Sequence, residues 1–192
     1  MTKELGRLAQ GFDGSKDTNT IFFMSHDEIK RISRDRTVTY SRIVVDYCPQ
    51  KEDPNRVRIT VGGNLINFPG ELTTRTANLA TSKILWNSTL STPDAKYACA
   101  DVGIFYLTTP MVRYEYMRIK AELIPEEFKQ QYKLHDKMYK GYIYCEIRQG
   151  MYGLPQAGRI TNDLLKKRLA YYGYFERPHT PGLWKHTSHS AR

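Results

Sequence analysis

The chain has 192 residues, 40% of them hydrophobic, and carries 29 Lys and Arg against 20 Asp and Glu, a formal net charge of +9. That suffices for a packed core in one domain, or in one domain plus part of a second. No apolar run reaches membrane-spanning length and the N-terminus MTKELGRLAQ lacks the apolar core of a signal peptide, so the expectation is a soluble protein inside the cell, in cytoplasm or nucleus.

The first thirty-odd residues are mixed and carry turn signals such as GFDGSKD. Residues 38–47, VTYSRIVVDY, are rich in β-branched and aromatic side chains and predict a strand. CPQKEDPN (48–55) is interrupted by proline and predicts a turn, and the alternating RVRITVGG (56–63) predicts the return strand of a hairpin. Residues 73–91 predict a helix ended by Pro93, KYACADV (96–102) a short apolar strand, and YEYMRIK (114–120) another strand. PEEFKQQYKLHD opens with proline followed by acids, the pattern of a helix start. YIYCEIRQG (142–150) alternates like a strand. The following LPQAGRITNDLLKKRLAYYG is the clearest helix, with Pro155 near its start, a stripe at Ile160, Leu164, Leu165 and Leu169, and Gly173 as its stop. The tail from Glu176 reads as irregular. Hairpins interspersed with helices predict an α+β fold with a mixed or antiparallel sheet and helices packed on one face.

The charge surplus points to an anionic partner, with nucleic acid first; a solvated basic surface is the plain alternative. The cysteines, Cys48, Cys99 and Cys145, are odd in number and far apart, which fits reduced thiols rather than a disulfide framework. Asp101 is a lone carboxylate inside an apolar and aromatic run. At a strand end it suits a Mg²⁺ ion whose remaining oxygens come from substrate phosphates; as a local group it suits the cap of a turn. In RQGMYGLPQAGR (148–159), glycines 150, 153 and 158 permit close backbone approach, and Gln156 and Arg159 stand at a helix N-terminus that favours phosphate; a tight strand-to-helix turn needs the same residues. The basic hairpin, with Lys51 and Arg58, either folds over a phosphate chain or is an ordinary charged edge.

In their order, these segments resemble the reverse transcriptases of copia-like retrotransposons. ADVGIFYL resembles the first carboxylate motif, and YEYMRIKAELIPEEF, IRQGMYGLPQAGRITNDLLKKRL and GYFERPHTPGLW resemble the blocks that follow. PQKEDPNRVRITVGGNLIN resembles the fingers hairpin upstream, so the likeness runs from about residue 38 to 184. It implies an N-terminal extension (1–37), a fingers-like region (38–95) and a partial, truncated palm (96–192). By that resemblance Asp101 is the catalytic ligand of Mg²⁺, helped by the carbonyl of Val102, and Tyr106 is the steric gate under the incoming sugar. Backbone at Ile104 and Phe105 meets the triphosphate, Lys51 and Arg58 grip it from the fingers, and Gln156 and Arg159 contact the nucleotide from the palm. The implied partners are an RNA or DNA template-primer and deoxynucleoside triphosphates, with no membrane, together with the remainder of a polyprotein.

The family's other two carboxylates form an adjacent Asp-Asp pair in a later hairpin, and this chain has no Asp-Asp dipeptide. The expectation is a fragment whose parent performs RNA-directed DNA synthesis by two-metal nucleotidyl transfer and which is inactive alone. The rival readings are a non-catalytic basic nucleic-acid-binding module and a decayed remnant of a mobile element.

Overall fold

The computed structural model describes residues 1–14, 16–50 and 54–188. Three elements precede the first predicted strand: helix α1 (Thr2–Leu8), strand β1 (Ile21–Phe23) and helix α2 (His26–Lys30). A capping box starts α2: the Ser25 hydroxyl accepts from the Glu28 N–H, and the Glu28 carboxylate accepts from the Ser25 N–H at 2.7 Å. The predicted hairpin follows as β2 (Val38–Tyr47) and β3 (Asn55–Val61). After helix α3 (Leu79–Leu90) come β4 (Pro110–Lys120), α4 (Glu126–Gln131), β5 (Tyr142–Gln149) and α5 (Ala157–Tyr171). Gly173, at φ +79°, takes the left-handed conformation that stops α5.

The architecture is α+β with a mixed sheet. Five strands run in the order β1-β5-β4-β2-β3, antiparallel except for β2 against β4, where Val38–Tyr40 pairs in parallel with Tyr116–Arg118. Alternation then sorts the side chains: Met117, Ile119, Ile143, Cys145 and Ile147 point to one face and are fully buried. Leu5 and Leu8 of α1 and Phe128 of α4 close over this face, with Phe128 stacked on Tyr132 at 4.5 Å and edge-on to Phe23 at 5.8 Å. Through β1 and α1, residues from 1–37 share one core with β4 and β5, so the N-terminal segment is a structural part of the sheet. Among the described residues, no helix is long and apolar enough to cross a membrane.

Two segments depart from the sequence reading. The tail forms a second hairpin, β6 (Tyr174–Glu176) with β7 (Trp184–His186), whose three-residue strands are too short to show alternation. Residues 96–102, expected as a strand, join neither sheet, and every residue from 91 to 104 is exposed. A strand needs a neighbour to satisfy its backbone N–H and C=O groups, and without one this apolar run stays irregular in water. Helix α3 beside it buries none of its residues, leaving Leu79, Ile84, Trp86 and Leu90 exposed.

Candidate functional site

Three segments far apart in sequence meet at Tyr152. The 3₁₀ turn Tyr106–Thr108 sets the Tyr106 ring edge-on to Tyr152 at 5.6 Å. Val61, the last residue of β3, donates its backbone N–H to the Tyr152 carbonyl at 2.8 Å. The glycines explain why the fit is this close. A Cβ on Gly150 would lie 2.6 Å from the Tyr106 carbonyl, and one on Gly153, at φ +94°, would lie 2.1 Å from the Val61 carbonyl. Close approach was legible in the sequence; the partner approached at 150 and 153 is the protein's own backbone. Gly158 is different, with only the Tyr106 hydroxyl and Thr74 within 4 Å of its Cβ position.

Gln156 is the N-cap of α5 and is 1% exposed. Its Nε2 donates to Glu115 Oε1 at 3.2 Å, while its Oε1 is buried with no hydrogen-bond partner among the described residues. An unmatched buried acceptor is costly, of order 1–3 kcal/mol. Gln156 forms part of the wall of a 450 Å³ groove with Phe68, Met111, Arg113, Ile160 and Leu164. Glu115, buried at 1% exposure, is the residue the sequence reading missed. Arg36 bonds it at 3.1 Å and Arg113 stands 3.7 Å away, so two guanidinium groups neutralise it. Its signal was present: Glu115 occupies the inward phase of β4, with Met117 and Ile119, where a charge demands a partner.

Arg159 spans Glu71 (2.6 Å) and Asp163 (3.0 Å), and these carboxylates raise its already high pKa. It stands with Arg75, Lys166, Arg177 and His179 around a polar cleft of 490 Å³ on the other flank of α5. Lys166 is itself paired to Glu176 at 2.8 Å. The cleft is thus a mixed-charge surface with a basic surplus, suited to an anion.

The remaining predicted residues are dispersed. Asp101 is exposed in the irregular segment, and no hydrogen bond or ion pair to a described residue holds it. Val102 beside it is 49% exposed, and Ile104 has φ +50°, a conformation that a β-branched residue adopts only under constraint. Phe105 opens the 3₁₀ turn and its carbonyl accepts from the Thr109 hydroxyl at 2.9 Å. Arg58 lies on β3, 3.8 Å from Asp46, and its Nε has no hydrogen-bond partner among the described residues. Lys51 lies outside the described residues.

A Mg²⁺ ion held as the resemblance implies would take one donor from the Asp101 carboxylate and one from the Val102 carbonyl. Among the described residues no group of three or more His, Cys, Asp and Glu side chains is placed to hold a metal ion. This donor set fits only an ion whose shell is completed from outside these residues. No family model, curated protein or solved structure matches the chain.

Proposed function

We propose that this chain supplies the fingers and part of the palm of an RNA-directed DNA polymerase of the copia-like type. The observation that carries the reading is the meeting at Tyr152 of the three segments that resemble the family's blocks: the hairpin end at Val61, the turn at Tyr106 and the glycine-rich entry to α5. A polymerase needs these parts together, because fingers, sugar-contacting aromatic and palm helix all address one nucleotide. Tyr106 beside Gly158, and Gln156 with a free buried oxygen, are residue types suited to a sugar and a hydrogen-bonding ligand. Cations on the hairpin and around the α5 cleft suit phosphates. Asp101, one of three carboxylates in such a site, would hold Mg²⁺ together with substrate phosphates, and the bound ion would offset developing charge during nucleotidyl transfer.

The test is primer extension with Mg²⁺, using this chain and the same reading frame carried downstream through an Asp-Asp hairpin. Extension by the longer chain that falls at least about 100-fold in Asp101→Asn is the expected result. Extension unaffected by Asp101→Asn would overturn the assignment. A second reading, a nucleic-acid-binding module without chemistry, is favoured by the solvent exposure of Asp101, which no described residue partners. It requires salt-dependent binding insensitive to chelators and to Asp101→Asn.

A further inference from the structure

The core covers only one face of the five-stranded sheet. Residues paired across a ladder share a face, so the register defines the other side row by row. Tyr40, Arg118 and Tyr144 form one row across β2, β4 and β5. Tyr116, Glu146 and Phe22 form the next, and Lys120 faces Tyr142 in a third. At the C-terminal end of β5 Arg148 lies 3.9 Å over the Phe22 ring and 5.6 Å from Tyr114, while Arg118 lies 4.5 Å over Tyr142. Six aromatic rings therefore share one face with three cations and one acid, Glu146, which Arg148 bonds at 2.6 Å. None of the six is fully buried, and Tyr114 is 40% exposed.

The same phase continues along the hairpin as Arg42, Arg58 and Arg56, with Asp46 as the acid among them. Helix α2 flanks the other end, where Arg31 and Ile32 help enclose a 210 Å³ recess against Phe22 and Tyr116. A face kept only for solubility has no need of six aromatic rings, whose exposure costs hydrophobic free energy. A second copy of the chain would set arginines against arginines. Flat rings and guanidinium planes interleaved at strand spacing match unstacked bases joined by phosphates.

We propose that this sheet face binds single-stranded nucleic acid, with bases stacked on Tyr142, Tyr144 and Tyr114 and phosphates on Arg118, Lys120 and Arg148. It lies on the side of the sheet opposite Glu115 and Gln156 and does not rest on the polymerase reading. Stacking, not charge alone, carries the affinity, so an aliphatic replacement fails where another aromatic succeeds.

Fluorescence anisotropy with fluorescein-labelled U20 and dT20 at fixed salt tests this. Tyr144→Leu is expected to weaken binding about 5- to 150-fold, the range for losing one stacked base, while Tyr144→Phe stays within about twofold. Lys185→Ala, an equal loss of charge on the separate β6–β7 hairpin relative to Arg118→Ala, is expected to leave binding within about twofold, and Arg118→Ala is expected to weaken it more. Equal losses in Lys185→Ala and Arg118→Ala, or unchanged binding in Tyr144→Leu, would overturn the proposal. Photocrosslinking of 4-thiouridine RNA to the unmodified chain avoids any folding defect of the variants. Crosslinks within 114–120 and 142–148 support the face, and crosslinks confined to other segments refute it. Light scattering that shows a dimer dispersed by Tyr144→Leu, with RNA affinity unchanged, would assign the face to self-association instead. None of these readouts depends on primer extension, so the two proposals fail separately.

Discussion

Gly153→Ala tests whether the meeting of segments at Tyr152 is a structural keystone. Two terms set the cost. An L-residue at φ +94° loses about 1–2 kcal/mol relative to glycine. The new Cβ would also stand 2.1 Å from the Val61 carbonyl oxygen and 2.8 Å from the Val61 nitrogen, both backbone atoms that no rotamer change can move. Relief requires the loop to part from β3, which breaks the 2.8 Å bond from the Val61 N–H to the Tyr152 carbonyl. Stranding that donor costs about 1–3 kcal/mol. The sum is about 2–5 kcal/mol, and at about 2–4 °C per kcal/mol for a chain of this size Tm should fall by about 4–20 °C. Gly141→Ala is the internal control, because Gly141 has φ +78° but nothing within 4 Å of its Cβ position. It should show the conformational term alone. Thermal unfolding followed by circular dichroism reads both; equal Tm losses in the two variants would refute the close-approach argument.

Glu115→Ala should destabilise the chain by about 3–5 kcal/mol in urea unfolding, because it leaves the largely buried Arg36 without its counter-charge; a loss under about 1 kcal/mol would mean that solvent already screens the pair. Burial pushes the Cys145 thiol well above the usual cysteine range, while Cys99 is exposed and Cys48 is half-buried. A disulfide reagent at pH 8 should therefore label Cys48 and Cys99 in the native chain and reach Cys145 only on unfolding; rapid labelling of Cys145 would contradict its burial. The linked pH effect has a definite sign. Above about pH 8.5 the unfolded thiol ionises while the native one stays protonated, so the native state binds more protons and stability falls with rising pH. Cys145→Ala should flatten that alkaline slope.

The legible parts of the fold were those whose signal is local. β3 and β5 announce themselves by alternation, β2 by its β-branched and aromatic residues, and α5 by its proline, its apolar stripe and Gly173. β1 is only Ile-Phe-Phe, too short for a period, although the Ser25–Glu28 capping box could have marked the start of α2. The strand expected at 96–102 rested on composition, and composition cannot supply the neighbour that a strand needs. At the site, Gly150 and Gly153 are the places of close approach that the glycine spacing predicts, whereas a Cβ at Gly158 would make only ordinary contacts, at 3.7 and 3.8 Å. What they approach was hidden, because Val61 and Tyr106 lie far away in sequence. Gln156 was singled out for its helix N-terminus, whereas its burial against Glu115 depends on β4 passing beneath it.

The amino-acid order by itself determined the basic surface, the separated thiols, the hairpin, the principal helix and the period of each long strand. These follow from side-chain size, branching and charge within a few residues. Tertiary structure alone decided the strand order β1-β5-β4-β2-β3, the parallel pairing of β2 with β4, and hence which of two alternating faces each strand buries. It also decided that Glu115 is neutralised by Arg36, 79 residues away, and held by Gln156, 41 residues away. Alternation names two faces without saying which is inward. That choice is made when distant strands pair and one face loses its water, leaving the aromatic and cationic face outside.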